Sequence, residues 1–246
     1  MPITDRSANP YSLILPLAAL VSVAWANGRQ MATFSKSGTT ASYEYNGEGQ
    51  RISKTVNGTK TEYFLDASGT ILGEKKGVLT ILYLFDETGR RIGYSWATDN
   101  YPGQIQATYH YVFNGQGDVI ALQDSNGVIW ARYVYDAWGK LLAVTDADGN
   151  DATDLSAYIA NLNSFRYRNY YYDVESGLYF LNTRSYDPVT GRFINADGVL
   201  GANGGSAYNL FAYCGSNPIN LIDPNGTCPI GFIGPCPGRG KCSYNI

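Results

Sequence analysis

Short stretches of alternating apolar and polar residues run through most of the chain. Ala41 to Tyr45, Arg51 to Val56 and Thr61 to Leu65 are the first of them. A two-residue period is typical of a strand with one buried face. The later stretches are Ile81 to Phe85, Arg91 to Trp96, Thr108 to Phe113, Val119 to Gln123, Val128 to Tyr135 and Lys140 to Thr145. The pattern predicts a series of antiparallel hairpins.

A recurring turn separates these strands. An aromatic residue is followed by Asp or Asn, and a glycine stands three positions after that residue. The four regular copies are Asn46 with Gly49, Asp86 with Gly89, Asn114 with Gly117 and Asp136 with Gly139; two looser copies are Asp173 with Gly177 and Asp187 with Gly191. Asp or Asn bonds to the local backbone, and glycine adopts a positive φ at little cost. A unit repeated this often indicates a repetitive all-β architecture.

Composition supports this fold and narrows the chemistry. The 246 residues include 21 tyrosines and 28 glycines, which favours an aromatic β-protein with tight turns. The net charge is −3 without a long basic run, so no nucleic-acid partner is expected. His110 is the only histidine, and no Ser-His-Asp or metal-binding cluster can be assembled around it. No cofactor is predicted.

Three segments depart from the hairpin pattern. Residues 1–24 are apolar but too short for a stable membrane span, and residues 11–26 could be a signal-peptide core or an element capping the fold. Residues 146–164 are predicted as a polar loop, preferred over a calcium site, with a short helix at 154–162. Residues 227–246 form a short Cys/Gly/Pro tail.

The cysteines of this tail leave two alternatives open. Cys228, Cys236 and Cys242 could bind zinc with Cys214, or form a disulfide outside the cell. Their spacings match no paired zinc motif, so no metal site is predicted. Cys214 itself is interpreted as a small buried hydrophobic residue.

The segment from Phe165 onwards carries a family resemblance. Residues Phe165 to Asp197, Tyr208 to Tyr213 and Asn217 to Gly226 closely resemble the Rhs repeat-associated core segment. The hairpins at 25–145 resemble the YD repeats that precede this core, which here covers residues 165–226. The resemblance implies a β-strip that spirals into a hollow shell, a core that plugs one end, and a variable C-terminal region, often a toxin, held inside. It also implies a secreted or cell-surface bacterial protein serving competition, insecticidal complexes or cell contact.

The chain departs from this family in its extent. It has only a handful of repeats, too few to close a shell, and too few residues after Gly226 for an ordinary toxin domain. We therefore expect a non-catalytic scaffold fragment, from a truncated or split gene, whose partners are the rest of a shell or a C-terminal toxin segment. Its tyrosines are expected to cover the shell surfaces with their hydroxyls near water. Its arginines are expected to stack on tyrosines within one sheet.

The resemblance also implies a candidate site for self-cleavage. The junction motif consists of Pro218, Asp223, Pro224 and Gly226, and Thr227 stands where the family usually has leucine. Asp197 and Asp223 are the candidate catalytic carboxylates, since neighbouring carboxylates can divide the roles of base and acid. Both aspartates are explained equally well as turn residues.

Two other functions stay open beside the scaffold. One is an extracellular carbohydrate- or surface-binding protein that uses exposed tyrosines to hold a glycan. The other is the self-cleaving module.

Overall fold

The computed structural model describes residues 21–153, 158–197 and 209–227, and the backbone of residues 230–231. The first described range forms one open antiparallel sheet, called the wall here, in which each strand pairs with its neighbours in sequence. Its strands are β1 Ser22–Ala26, β2 Gln30–Lys36, β3 Thr39–Tyr45, β4 Arg51–Val56, β5 Thr59–Leu65, β6 Ile71–Lys76, β7 Leu79–Phe85, β8 Arg91–Thr98, β9 Ile105–Phe113, β10 Val119–Gln123, β11 Ile129–Tyr135 and β12 Leu141–Asp146.

The predicted hairpins are present, and the structure adds to them. Strands β2 and β6 were not predicted, and β1 lies partly in the N-terminal segment, for which a strand or helix capping the fold was one of two alternatives. The polar run after Asp146 starts with a further turn of the recurring kind, because the Gly149 amide donates to the Asp146 carbonyl at 3.3 Å. Two amides also donate to its carboxylate, at 2.9 Å each. The hairpin rhythm therefore extends past residue 145.

The recurring turn has the same hydrogen bonds in each regular copy. At Asp86, the carbonyl accepts from the Gly89 amide at 3.0 Å. The carboxylate accepts from the amides of Thr88 at 3.0 Å and Arg90 at 2.9 Å. An unpredicted turn at Asp66 matches this pattern, with Leu65 in the aromatic position. The register of the ladder shifts beside several of these turns, and such bulges strengthen strand twist.

The remaining described residues fold back against one face of the wall. We call residues 158–197 and 209–227 the plug. It contains α1 Ile159–Leu162, the sheet β13 Tyr171–Asp173, β14 Leu178–Leu181, β15 Arg184–Asp187 and β16 Arg192–Phe193, and strand β17 Leu221–Ile222, which pairs with β18 Ile230–Gly231. The helix is shorter than predicted; residues 154–157 lie outside the described ranges. Among the residues that the structure describes, no helix has the length and apolar character needed to cross a membrane.

Tyrosine hydroxyls of the wall bond to the plug. Tyr94 donates to the Ile159 carbonyl at 2.7 Å, and Tyr133 donates to the Ala160 carbonyl at 2.6 Å. Both tyrosines are almost fully buried. The expectation that the hydroxyls stay near water is therefore wrong for this face. They replace water as partners of plug carbonyls that burial would otherwise leave unsatisfied.

At the turn between β11 and β12 the roles are exchanged: tyrosine hydroxyls of the plug donate to carbonyls of the wall. Its three successive carbonyls at residues 137–139 accept hydroxyls from Tyr167 at 3.0 Å, Tyr186 at 2.7 Å and Tyr179 at 2.9 Å. Gly139 has a φ of +87°, and a Cβ there would lie 2.4 Å from the Tyr167 ring. This turn is therefore a docking point that requires glycine both for its backbone and for the approach of the plug.

Replacing Gly139 should loosen this docking point. Gly139→Ala is expected to cost about 3 kcal/mol of unfolding free energy, from left-handed strain and overpacking together. Gly127→Ala is the matched control, because Gly127 has a φ of +80° and open space around it. The control should cost only about 1 kcal/mol. Equal shifts of the two urea midpoints would contradict a specific role for the Gly139 turn.

Candidate functional site

A buried ion-pair cluster fastens the plug to the wall. Arg51 of β4 makes two hydrogen bonds to the Asp173 carboxylate, at 2.6 and 3.1 Å. Lys54 lies 3.0 Å from both Asp173 and Glu175. Asp173 therefore uses its side chain across the interface, while its turn is closed by the Gly177 amide on its carbonyl at 2.8 Å. We call these four charged residues the latch.

Aromatic rings surround the guanidinium of the latch. Arg51 lies 3.9 Å from the ring centroid of Phe180 and 5.2 Å from that of Tyr171, both in the plug. It lies 5.2 Å from the centroid of Tyr43 in the wall. Arg51 thus stacks on a tyrosine of the neighbouring strand in its own sheet and also on two aromatic rings of the plug. The delocalised guanidinium tolerates this apolar setting better than an ammonium group.

The electrostatics of the latch favour ionised partners. Burial by itself would raise the pKa of Asp173, but the charges of Arg51 and Lys54 outweigh it and lower the pKa below its usual range. A nearby buried carboxylate, Glu74, accepts hydroxyls from Tyr83 at 2.6 Å and Tyr171 at 2.5 Å. Sequence patterns gave no indication of either cluster, because the partners are far apart along the chain.

Removing the latch carboxylate should leave the buried cations without their main partner. Asp173→Asn is expected to reduce the unfolding free energy by about 3–5 kcal/mol. Asp99→Asn breaks the exposed pair with Lys75, whose atoms lie 2.9 Å apart, and should cost less than about 1 kcal/mol. Chemical denaturation of both variants measures the difference. Similar losses would show that burial does not set the strength of the latch.

The latch should also make the unfolding free energy depend on pH in the acidic range. Because the pKa of Asp173 is lower in the folded state, its contribution is complete above the unfolded pKa and is lost as pH falls through the folded pKa. The stability gap between wild type and Asp173→Asn should therefore narrow below about pH 4. Urea unfolding across acidic pH tests this. A constant gap would contradict the lowered pKa.

A second cluster, the junction site, lies at the end of the described chain and centres on Arg184 of β15. Its Nη2 lies 3.1 Å from Asp223, and its Nη1 lies 3.3 Å from Asp197. Its Nε donates to the carbonyl of Gly226 at 2.5 Å. The structure thus brings the two candidate carboxylates to one guanidinium. Asp223 is fully buried, and burial lowers the pKa of Arg184 more than the two carboxylates raise it.

The peptide bond after Gly226 is held from both sides. The Thr183 hydroxyl lies 2.8 Å from the Gly226 carbonyl and 2.8 Å from the Asn225 carbonyl, so its single proton is shared between the two. The amide of this peptide bond, at Thr227, donates to the Asp223 carboxylate at 3.0 Å. Gly226 has a φ of +72°, and a Cβ there would lie 2.9 Å from the Leu181 carbonyl. Only glycine fits this approach without displacement of the backbone.

Two donors of the junction site were missed in the sequence. Arg184 stands in the arginine- and tyrosine-rich run, whose composition indicated only stacking, and Thr183 carries no recognisable signal. Pro218 of the motif has a different contact: its carbonyl accepts from Arg168 of the plug. Arg168 also donates to the Gln116 carbonyl of the wall at 2.7 Å.

The remaining predicted residues have structural environments. Burial raises the pKa of the Cys214 thiol to about 12, so it is held as a neutral side chain. The tail cysteines lie outside the described residues. Within the described ranges, no group of three His, Cys, Asp or Glu side chains is arranged to hold a metal ion.

Known proteins are similar to this chain in sequence. A family model described as RHS Repeat matches residues 113–151. The tRNA3(Ser)-specific nuclease WapA of Bacillus spizizenii is 37% identical over 190 residues, which are 76% of this chain and 7% of that protein. The double-stranded DNA deaminase toxin A of Burkholderia cenocepacia is 34% identical over 128 residues, covering 52% of this chain and 8% of that protein.

Solved structures show the same fold. The crystal structure of TcdB2-TccC3-TEV superposes with a TM-score of 0.62 at 17% identity, over 84% of this chain and 10% of that chain. A Photorhabdus luminescens Tc holotoxin pore gives 0.59 at 17% identity, over 92% and 11%. The chain belongs to the Rhs/YD-repeat family, and it spans less than a tenth of the curated relatives above.

Proposed function

We propose that this chain forms wall and plug at one end of the shell of an Rhs-type polymorphic toxin, as a scaffold. The observation that carries the proposal is the docking of three plug tyrosines on the turn at residues 137–139. It supports a plug held in one position against the wall. The matched relatives are a tRNA nuclease and a DNA deaminase by name. A segment similar to both supports a role that is independent of either chemistry.

The groove between wall and plug is too small to hold a folded toxin domain, which supports the proposal that further shell is needed to enclose one. Wall and plug enclose a groove of about 960 Å³ along β4–β8, lined by Val56, Leu79 and Trp96 of the wall and Leu162 of the plug. This volume is that of a small-ligand site and is far below that of a folded domain. The partners would be the rest of a shell and a C-terminal toxin segment, in a secreted or cell-surface protein of a bacterium that serves competition between cells.

The observed tyrosines do not favour the glycan-binding alternative. Tyr94, Tyr179 and Tyr186 are fully buried. Among the described residues, Tyr101 is the one exposed tyrosine, at 58%. A tyrosine platform for a sugar needs an accessible ring face, which these three buried tyrosines do not offer.

Assembly with neighbouring gene products tests the scaffold proposal. Co-expression of the chain with the polypeptides of adjoining reading frames should yield a hollow particle by electron microscopy, with this chain closing one end. The Gly139→Ala variant should give particles open at that end, since its plug docks poorly, whereas Gly127→Ala should give closed ones. A chain that never joins a particle would contradict the proposal.

The junction site favours a second candidate function, self-cleavage after Gly226. Arg184 and Thr183 both donate to the Gly226 carbonyl, where negative charge develops when a peptide bond is attacked. Fixed donors at such an oxygen are the usual means of stabilising a tetrahedral intermediate. Asp223 contacts the departing nitrogen through the Thr227 amide, and Asp197 contacts the same guanidinium.

Intact-mass measurement tests self-cleavage. The purified chain should separate into fragments ending at Gly226 and beginning at Thr227. Asp223→Asn should slow the cut by about 100-fold or more, since it removes an acid–base group. Asp187→Asn is the control, because that carboxylate caps its own turn through the Val189 amide at 2.9 Å. A wild-type chain that stays intact, or an unchanged rate in Asp223→Asn, would refute this role.

A further inference from the structure

We propose that the hydroxyl of Thr227 is the nucleophile that opens the peptide bond after Gly226. This inference rests on the self-cleavage proposed above and assigns the attacking atom. Thr227 occupies the position where the resembling family usually has leucine, so this chain places a hydroxyl directly after the polarised carbonyl. A hydroxyl on the residue following a peptide bond can attack that carbonyl through a five-membered ring.

The hydrogen bonds of the junction site prepare this attack. The Gly226 carbonyl receives Arg184 Nε at 2.5 Å and the Thr183 hydroxyl at 2.8 Å, so its carbon is electron-poor. The Thr227 hydroxyl donates to the Asn225 side-chain oxygen at 2.7 Å, which fixes the threonine beside the peptide bond that it follows. Gly226 itself has a left-handed backbone, with a φ of +72°.

Asp223 can carry the proton between the two reacting atoms. Its carboxylate accepts a hydrogen bond from the Thr227 amide at 3.0 Å. The carboxylate therefore lies beside the nitrogen that must leave, and this nitrogen belongs to the same residue as the attacking hydroxyl. The Thr227 hydroxyl leaves its hydrogen bond to Asn225, and its proton passes to the Asp223 carboxylate as the bond from Oγ1 to the Gly226 carbon forms. The same proton then passes to the nitrogen as the carbon–nitrogen bond breaks. The product is an ester between Gly226 and Thr227, with a free amine on Thr227.

Water completes the reaction. It adds to the ester carbon, the bond to the Thr227 oxygen breaks, and that oxygen takes a proton from the water. The products are a carboxyl group on Gly226 and an intact threonine with a free amine. A cavity of about 140 Å³, lined by Arg29, Thr183, Arg184 and Asn195, adjoins the donors of the Gly226 carbonyl. A cavity of this volume is large enough to admit water.

Side-chain replacement at Thr227 separates this route from direct attack by water. Thr227→Val keeps the shape of the side chain and removes the hydroxyl. This variant should cut at least about 100-fold more slowly than the wild-type chain. Thr227→Ser keeps the nucleophile and should still cut. Thermal unfolding of the valine variant checks that the plug stays folded.

Hydroxylamine traps the ester directly. Added to the wild-type chain during cleavage, it should leave a hydroxamate on Gly226, found by mass spectrometry of the released fragment; Thr227→Val should give none. A folded valine variant that cuts at the wild-type rate would overturn Thr227 as nucleophile while leaving self-cleavage after Gly226 in place. A wild-type chain that never cuts would overturn both. Cutting in wild type without a hydroxamate would also count against the ester.

Discussion

The structure depends on one constraint: burying polar groups between wall and plug is costly unless partners within the protein replace water. The wall presents tyrosine hydroxyls, Arg51 and Glu74 on the face that the plug covers, and each would be costly to bury alone. The plug supplies the matching carbonyls, carboxylates and hydroxyls. The two parts therefore fit in one relative position, since a shift of one residue would break several hydrogen bonds together.

Arginine side chains also join parts of the chain that are far apart in sequence. Arg51 reaches from wall to plug, Arg168 from plug to wall, and Arg184 draws the end of the described chain towards the second sheet. A planar guanidinium can donate in several fixed directions while its faces pack on aromatic rings. That combination suits an interface that is both aromatic and charged, and it explains why arginine and tyrosine are interleaved along the plug.

Local patterns were sufficient to predict the hairpins, because each turn is built from residues within five positions of one another. Asp86 and Gly89 make their hydrogen bonds without help from the rest of the chain. The turn at Asp66 was missed because the aromatic residue was treated as part of the rule, whereas the hydrogen bonds need only Asp and Gly. Its distance from Asn46 and Asp86, equal on both sides, was the signal that could have revealed it.

The latch and the junction site could not be predicted in the same way. Arg51 and Asp173 are separated by 122 positions, and no pattern in either strand indicates the other. Resemblance to a family directed attention to Asp197 and Asp223, but the arginine that joins them is one of several in a repetitive stretch. Long-range pairing of this kind is a property of the folded chain and is not written in either segment alone.

The even spacing of the turns has a consequence for how such a protein changes over generations. Turns at Asn46, Asp66 and Asp86 recur at equal intervals, and each strand pairs only with its neighbours. An in-frame duplication or loss of one such unit returns the next strand to the same face and the same register. Unequal recombination could therefore lengthen or shorten the wall by one unit at a time. The length of the wall becomes a heritable quantity that varies in steps.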